Sequence, residues 1–379
     1  MGRTSPYLNN IAYYLLLVYS FVLMLSIPLA EWLAVLMLII WVAQTLAYRR
    51  REWLTYPLFL PIITMILYNI LVLLVSGHDG RFGRVIEQLT LPLIYFIVPS
   101  IVVNSERRMR VIWLFIAGAC LAAGIGVIRY LIGDVGRATS FTSECTTLAY
   151  FLAFAFVMTL AIYAYSTKTS EKIFLGLVTF PLVLGLILTM TRAAYLAAAL
   201  SLAILGFLKE RKLLLVGTAI VVVACLVFPS TRDKVAQRFD ISNAQSFFSH
   251  REVLLDLGLD RARDMPFFGY GLNSFPEVVN VAAEERIRAK DIMEWHNMYL
   301  KALLDGGPLG LVILIWLFAA QTRVTLTRFR KTKDRDQKTF QLGILLLLLS
   351  LAVIGLFDTV LTIRIVAMLT WLLLGLSII

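Results

Sequence analysis

Charge is scarce in this chain. Only 16% of its 379 residues are Asp, Glu, Lys or Arg, 60% are apolar, and the mean hydropathy is +0.83. Soluble domains carry about 25% charged residues. The composition therefore excludes a soluble enzyme, a nucleic-acid-binding domain and a disordered tail protein. Cysteine is also sparse: Cys120, Cys145 and Cys225 are an odd number, and two of them lie inside apolar runs. Neither a disulfide framework nor a zinc-site spacing is present. The three histidines, His78, His250 and His296, form no HExxH or similar spacing. There is no Walker loop, no GxGxxG on a strand, and no Asp-x-Asp pair in the connections assigned below to the outer face. Chemistry driven by nucleotide hydrolysis or by a divalent metal on those connections has no legible residues, so no cofactor and no metal site are expected.

What the sequence does have is continuous apolar runs of about 20 residues, the length of a membrane-crossing helix. An outer-membrane barrel would alternate instead. The runs predict an all-α polytopic membrane protein with about twelve spans, at 10–27, 30–47, 57–76, 85–103, 111–132, 145–165, 172–190, 193–208, 212–228, 307–326, 340–357 and 362–379. Pro92 and Pro99 break the fourth. The first run follows a single Arg3 and resembles a signal peptide, but the downstream charges fit better when it is counted as an uncleaved span. With a cytoplasmic N-terminus the inside segments hold 19 Lys and Arg and the short outside connections hold 6. This bias places both termini inside. The net charge of +11 thus reports topology and not a nucleic-acid partner. The six outside arginines, Arg81, Arg84, Arg129, Arg137, Arg192 and Arg364, oppose the sorting rule and need another reason to be there.

The chain divides into spans one to nine (1–228), a long outside loop (229–306) and spans ten to twelve (307–379). Ser249-His250-Arg251-Glu252 is a capping box, predicting a helix that runs to Pro266. Ser274-Phe275-Pro276-Glu277 repeats the pattern and predicts a second helix to about Lys290. A third starts near Trp295-His296-Asn297 and ends at Gly306-Gly307-Pro308. With 11 acids against 9 bases from Pro229 to Asn297, the loop reads as a small helical cap, not a lipid-binding basic arm.

Four residues could carry chemistry. His296 stands at a helix start beside the membrane surface. An unperturbed imidazole titrates near pH 6.5, about right to accept a hydroxyl proton; the alternative is an interfacial histidine that caps a helix. Arg192 lies in a connection of about three residues, where a guanidinium can fork onto phosphate oxygens or snorkel to headgroups. Arg251 opens the loop helix, whose N-terminus attracts anions, or is merely solvated there. Arg137, in Gly136-Arg137-Ala138-Thr139-Ser140, is similar, and Arg81 and Arg84 are weaker candidates.

These elements together resemble the O-antigen ligase family of bacterial inner membranes. Thr189-Met190-Thr191-Arg192 is similar to a T-x-[ST]-R stretch, with Ala193 where Gly is frequent. Arg251, followed by the run from Pro266-Phe267-Phe268-Gly269-Tyr270-Gly271 to Phe275, is similar to R…P-[FL]-[FL]-G-x-G-x-x-x-F. His296-Asn297-Met298-Tyr299-Leu300 with Gly307 and Gly310 is similar to H-N-x-Y-L-x-x-L-x-x-x-G-x-x-G. Arg137 with Phe141 resembles a looser R-x-x-x-F element whose following Asn is absent.

The resemblance implies a metal-independent, membrane-embedded glycosyltransferase of the GT-C type. Its expected donor is a glycan on undecaprenyl diphosphate, its acceptor a sugar hydroxyl of lipid A-core oligosaccharide, and its active site periplasmic. His296 would be the base or would orient the acceptor. Arg192, Arg251 and Arg137 would bind the diphosphate. Asn297, Tyr299, Tyr270 and Glu294 are expected near donor or acceptor, with Glu294 the fallback base. Inversion at the anomeric carbon follows from a single displacement. O-antigen polymerases share the resemblance; a transporter or flippase of lipid-linked glycans is the alternative from another class.

Overall fold

In a computed structural model the chain is described over residues 5–76, 82–141, 144–209, 251–279 and 294–379. All regular structure among these residues is helical. The expected span 212–228, His78, Arg81, Ser249-His250 and the run from Asn280 to Met293 lie outside the described residues, as does the Arg84 side chain.

The helices are α1 (Pro6–Val22), α2 (Ile27–Tyr48), α3 (Phe59–Ser76), α4 (Phe82–Thr90), α5 (Ile94–Ile101), α6 (Ser105–Leu131), α7 (Cys145–Tyr165), α8 (Thr169–Leu188), α9 (Arg192–Leu208), α10 (Arg251–Arg263), α11 (Phe275–Val278), α12 (Met298–Lys331), α13 (Arg335–Gly355) and α14 (Arg364–Leu376). Seven are long and apolar enough to cross a membrane: α2, α3, α6, α7, α8, α12 and α13. Shorter apolar helices cover Gln88–Ile101, Arg192–Phe207 and Arg364–Leu376. The chain is an all-α polytopic membrane protein.

Most boundaries follow local chemistry. Asn104 caps α6, its Oδ1 accepting from the Arg107 N–H at 2.8 Å, and Asp334 caps α13 the same way through Gln337 at 2.8 Å. Such caps satisfy the orphan donors of a first turn. The fourth expected span breaks at Pro92, where the turn Leu91–Leu93 separates α4 from α5; Pro99 is carried inside α5. A larger difference is α11. Its expected helix was to continue towards Lys290, yet it ends at Val278, and Val279 is already extended. Residues 280–290 of that expected helix lie outside the described residues; at its start the Ser274 hydroxyl makes no cap bond and donates instead to Asp305 Oδ1, 31 positions away, at 3.3 Å.

At the centre stands α7, apolar on every side and buried continuously from Thr147 to Ala161. It packs against α13, α8, α9 and α6. The helices α2 and α3 lie outside this core and expose Trp32, Leu36, Ile39 and Leu46, and Leu60, Leu67 and Leu74. Exposed apolar rows of this kind are what lipid chains would cover.

The bundle has two unlike ends. One joins Arg107 to Asn10, Arg108 to Gln337, Arg335 to Thr167 and Arg328 to the Ser377 carbonyl. Most of the Lys and Arg counted as inside lie there, so it is the basic end. The other joins Arg129 to the Ser140 carbonyl, Arg364 to Glu31 and Tyr150 to Asp358.

Candidate active site

The sequence-derived candidates meet at this second end. His296 precedes α12, and its backbone is left-handed (φ 47°), an uncommon conformation for a side chain with a Cβ. The next residue, Asn297, turns the chain into the helix. Its Oδ1 accepts from the N–H groups of Tyr299 at 3.0 Å and Leu300 at 2.9 Å. Its Nδ2 donates to the Leu356 carbonyl at 3.1 Å. Asn297 therefore ties the start of α12 to the end of α13. Tyr299 adds a second tie, its hydroxyl donating to the Ala352 carbonyl at 3.1 Å. Both side chains expected near substrate are spent on this junction.

The junction sets the imidazole. His296 Nδ1 lies 3.2 Å from Asp358 Oδ1 in the turn between α13 and α14. The Asp358 side chain is buried, whereas that of His296 is 40% exposed. Asp358 Oδ2 accepts from the Tyr150 hydroxyl at 2.7 Å, and Oδ1 also accepts from the Thr359 N–H at 2.9 Å. Burial alone would raise the Asp358 carboxyl. The hydrogen bond and charge of His296, with the bonds from Tyr150 and Thr359, outweigh it and hold the carboxyl below the usual carboxylate range. An anionic Asp358 favours the proton on Nδ1, which leaves Nε2 as the acceptor of a neutral ring. The neighbouring Glu294 is drawn to the same turn by the Thr359 and Thr362 hydroxyls, which donate to its Oε2.

The arginines arrive from three other directions. Arg192 is the first residue of α9, next to Met190, whose backbone is also left-handed (φ 52°). The turn before it is braced by Arg137: Nε donates to the Thr189 carbonyl at 2.8 Å, and Nη2 to the Met190 carbonyl at 3.2 Å and the Thr191 hydroxyl at 3.0 Å. The Ala138 N–H adds a bond to the Leu188 carbonyl at 2.8 Å. Arg137 thus fixes the position from which Arg192 starts. Arg251 is the first described residue of α10.

The glycine-rich loop after α10 is a clamp on α12. The N–H groups of Tyr270 and Gly271 donate to the Leu304 and Asp305 carbonyls at 2.7 and 3.1 Å. At Gly269 (φ 74°) a Cβ would lie 2.5 Å from Gly307 N; at Gly307 (φ 65°) it would lie 2.0 Å from the Phe267 carbonyl oxygen. Only glycine fits where the two backbones cross. The Tyr270 hydroxyl returns to the Arg261 carbonyl at 2.9 Å. Beneath the loop Lys301 and Asp305, both buried, pair at 2.7 Å. Lys301 also donates to Asn273 Oδ1 at 2.9 Å, and Asp305 accepts from the Asn273 N–H at 2.9 Å. Phe275 and Trp295 stack edge to face at 4.7 Å within a satellite core of Leu254, Leu257, Leu300 and Leu304.

Residues 177–315 match the family model described as O-antigen ligase. This stretch belongs to that family. No curated protein matches the chain in a sequence search. The O-antigen ligase stretch contains Arg192, Arg251, the glycine-rich clamp and His296; Arg137, Tyr150 and Asp358 come to it from outside. The match supports a membrane glycosyltransferase of the ligase or polymerase type.

Asp358, Tyr150, Lys301 and Asp305 escaped the sequence reading. Each had a signal. Asp358 is a carboxylate set between apolar residues in Leu356-Phe357-Asp358-Thr359-Val360, and ionisable residues inside apolar stretches are functional candidates. Lys301 and Asp305 are an i,i+4 pair at the start of a helix.

Proposed function

We propose that the chain is an O-antigen ligase, moving a glycan from undecaprenyl diphosphate to a sugar hydroxyl of lipid A-core oligosaccharide. The observation that carries the reading is the buried Asp358 carboxylate holding Nδ1 of the half-exposed His296, at the end of the bundle where Arg192 and Arg251 also begin their helices. The reaction needs a base for a poor nucleophile and positive charge for a diphosphate leaving group, and this end supplies both.

In the proposed step the acceptor hydroxyl oxygen attacks the anomeric carbon of the donor glycan. Its proton passes to His296 Nε2 while Asp358 stabilises the imidazolium that forms. The glycosyl C–O bond breaks, and the diphosphate leaves on undecaprenyl with the bonding electron pair. Arg192 and Arg251 hold that developing charge, which is where preorganised cations lower a barrier most. Arg137 contributes by fixing the turn that presents Arg192. One displacement inverts the anomeric carbon. Arginines meet the charge, so the scheme assigns no step to a metal ion; the GT-C type is what the family resemblance implies. The excess of Lys and Arg at the opposite end supports a cytoplasmic side there and a periplasmic site on the inner membrane.

The test is transfer by the purified full chain, with donor lipid and lipid A-core and no ATP. Glycan on lipid A-core, in the presence of EDTA, is the expected result. Longer chains on the donor lipid would make the protein a polymerase, and no covalent change would leave transport. Impermeant labelling of single cysteines should modify Phe267→Cys and spare Lys333→Cys in intact spheroplasts; the reverse pattern removes the periplasmic assignment.

A further inference from the structure

Away from this centre, a groove of about 370 Å³ opens on the outer surface of the bundle. Its walls are α2, the α4–α5 break and α14. The floor is apolar, formed by Ala34, Leu38, Leu93, Ile94, Ile97 and Met368. Val35 and Ile86 on its rim are 45% and 44% exposed, on the side where α2 presents its apolar row. A groove of this shape on a membrane-facing surface has room for a hydrocarbon chain, but apolar lining alone does not say which lipid fills it.

The mouth of the groove supplies the selection. Glu31 and Arg364 line its end nearest the active site and pair at 2.5 Å, with both side chains more than a third exposed. Each is placed one turn or less from the end of its helix, the level at which headgroups lie. An exposed ion pair is worth little by itself, so a ligand able to replace both halves can open it. A purely anionic head would gain the arginine and be repelled by the glutamate. A diphosphate would be repelled more. A zwitterionic head with a primary ammonium satisfies both: phosphate on Arg364 and ammonium on Glu31. A quaternary ammonium has no N–H to give the carboxylate and is bulkier.

We infer that this groove is a binding site for a phosphoethanolamine phospholipid, with its phosphate on Arg364, its ammonium on Glu31 and one acyl chain along the floor between α2 and α5. The inference does not depend on the proposed transfer reaction. It gives a reason for the outward-facing position of Arg364, which opposes the sorting rule.

The experiment is native mass spectrometry of the full chain in detergent, titrated with phosphatidylethanolamine, phosphatidylcholine or phosphatidylglycerol of identical acyl chains. One phosphatidylethanolamine should be retained at about fivefold lower concentration than either other lipid, a modest factor because a surface ion pair is opened. Glu31→Gln should equalise ethanolamine and choline lipids, and Arg364→Gln should remove retention of all three. Ala34→Phe fills the floor, leaves the ion pair in place and should expel the lipid. Equal retention of the three lipids by the unmodified chain, or preference for phosphatidylglycerol, overturns the inference without need of any variant. Retention unchanged in Ala34→Phe overturns the position. His296→Ala should bind the lipid normally, so failure of the transfer reading and failure of this one are distinguishable.

Discussion

The two ends of the helix bundle differ in which charges they bury. At the basic end Arg108 is fully buried, donates to Gln337 and to the Ile379 carbonyl, and lies over the Phe340 ring. Around it Arg110, Lys168 and Arg335 pair with exposed carboxylates. At the site end Arg137 and Arg129 spend donors on backbone carbonyls, and the buried charges are Asp358 and the Lys301–Asp305 pair. Three of the four described non-glycine residues with positive φ, Met190, Asn273 and His296, are also at this end. Strained turns persist where surrounding bonds over-determine them. Charge at the basic end is in excess and replaceable; at the site end it is matched group by group. Substitutions should therefore divide sharply between the two ends.

The largest effect is expected at His296. Loss of a general base costs about 10²–10⁴-fold, so His296→Ala should lose transfer by that factor while binding donor lipid. His296→Gln retains a hydrogen bond but takes no proton at neutral pH, and should be equally inactive. A Gln variant with most of the rate would make the residue an orienting group. Loss of donor binding in the Ala variant would make it structural. The matching change at the basic end, Arg335→Ala, should leave transfer within about twofold, as for an exposed pair.

The arginines come next. A partner removed from a desolvated charge leaves the other uncompensated, at roughly 3–5 kcal/mol or about 10²–10³-fold in rate. Arg192→Ala and Arg251→Ala should each show this loss with normal insertion, and Lys should rescue poorly for want of the forked geometry. Arg137→Lys should resemble them for a different reason, because one ammonium cannot reach both the Thr189 and Met190 carbonyls and Arg192 loses its place. Normal transfer in the two alanine variants would return these residues to headgroup snorkelling.

What the sequence made legible was set by its local patterns. Apolar length gave the spans, and a short connection gave Arg192. The break at Gly307-Pro308 and the start of α12 were read from His296-Asn297 and the paired glycines. The partners of these residues were not legible, because they depend on which helices neighbour which. Asp358 meets His296 across 62 positions of sequence, and Tyr150 meets Asp358 across 208. A capping signal also misled: Ser274 has the residue type and spacing of an N-cap, but Asp305, 31 positions away, takes its hydroxyl. Local propensity yielded to a buried carboxylate that needs donors.

That carboxylate gives a stability comparison within the site end itself. Lys301→Met removes the cation and leaves Asp305 buried with only neutral donors, at a cost of roughly 3–5 kcal/mol. Lys301→Met combined with Asp305→Leu removes both charges and should recover much of the thermal stability, since replacing a buried pair by apolar groups is often neutral. It should not recover transfer, because the glycine-rich loop loses the side chain that accepts from Asn273 and Ser274. If the double variant is as unstable as the single one, loop attachment outweighs the charge pair. If its transfer is normal, the clamp has no part in placing Arg251.

The smallest effect concerns pH. The Asp358 carboxyl is held below its ordinary value in the folded chain. A depressed folded value means that the anion stabilises the fold: the contribution is complete above the unfolded carboxyl's pKa, about 3.9, and is lost as pH falls through the lower folded value. Asp358 therefore contributes no pH dependence to stability between neutrality and about pH 5. Asp358→Asn should lower the melting temperature throughout that window, with the gap closing only below about pH 4. Transfer should fall even at a temperature where the variant stays folded, because the imidazolium that forms in the proposed step loses its anionic partner. An unchanged rate in the folded variant would remove Asp358 from the proposed proton transfer and leave it as the anchor of the α13–α14 turn.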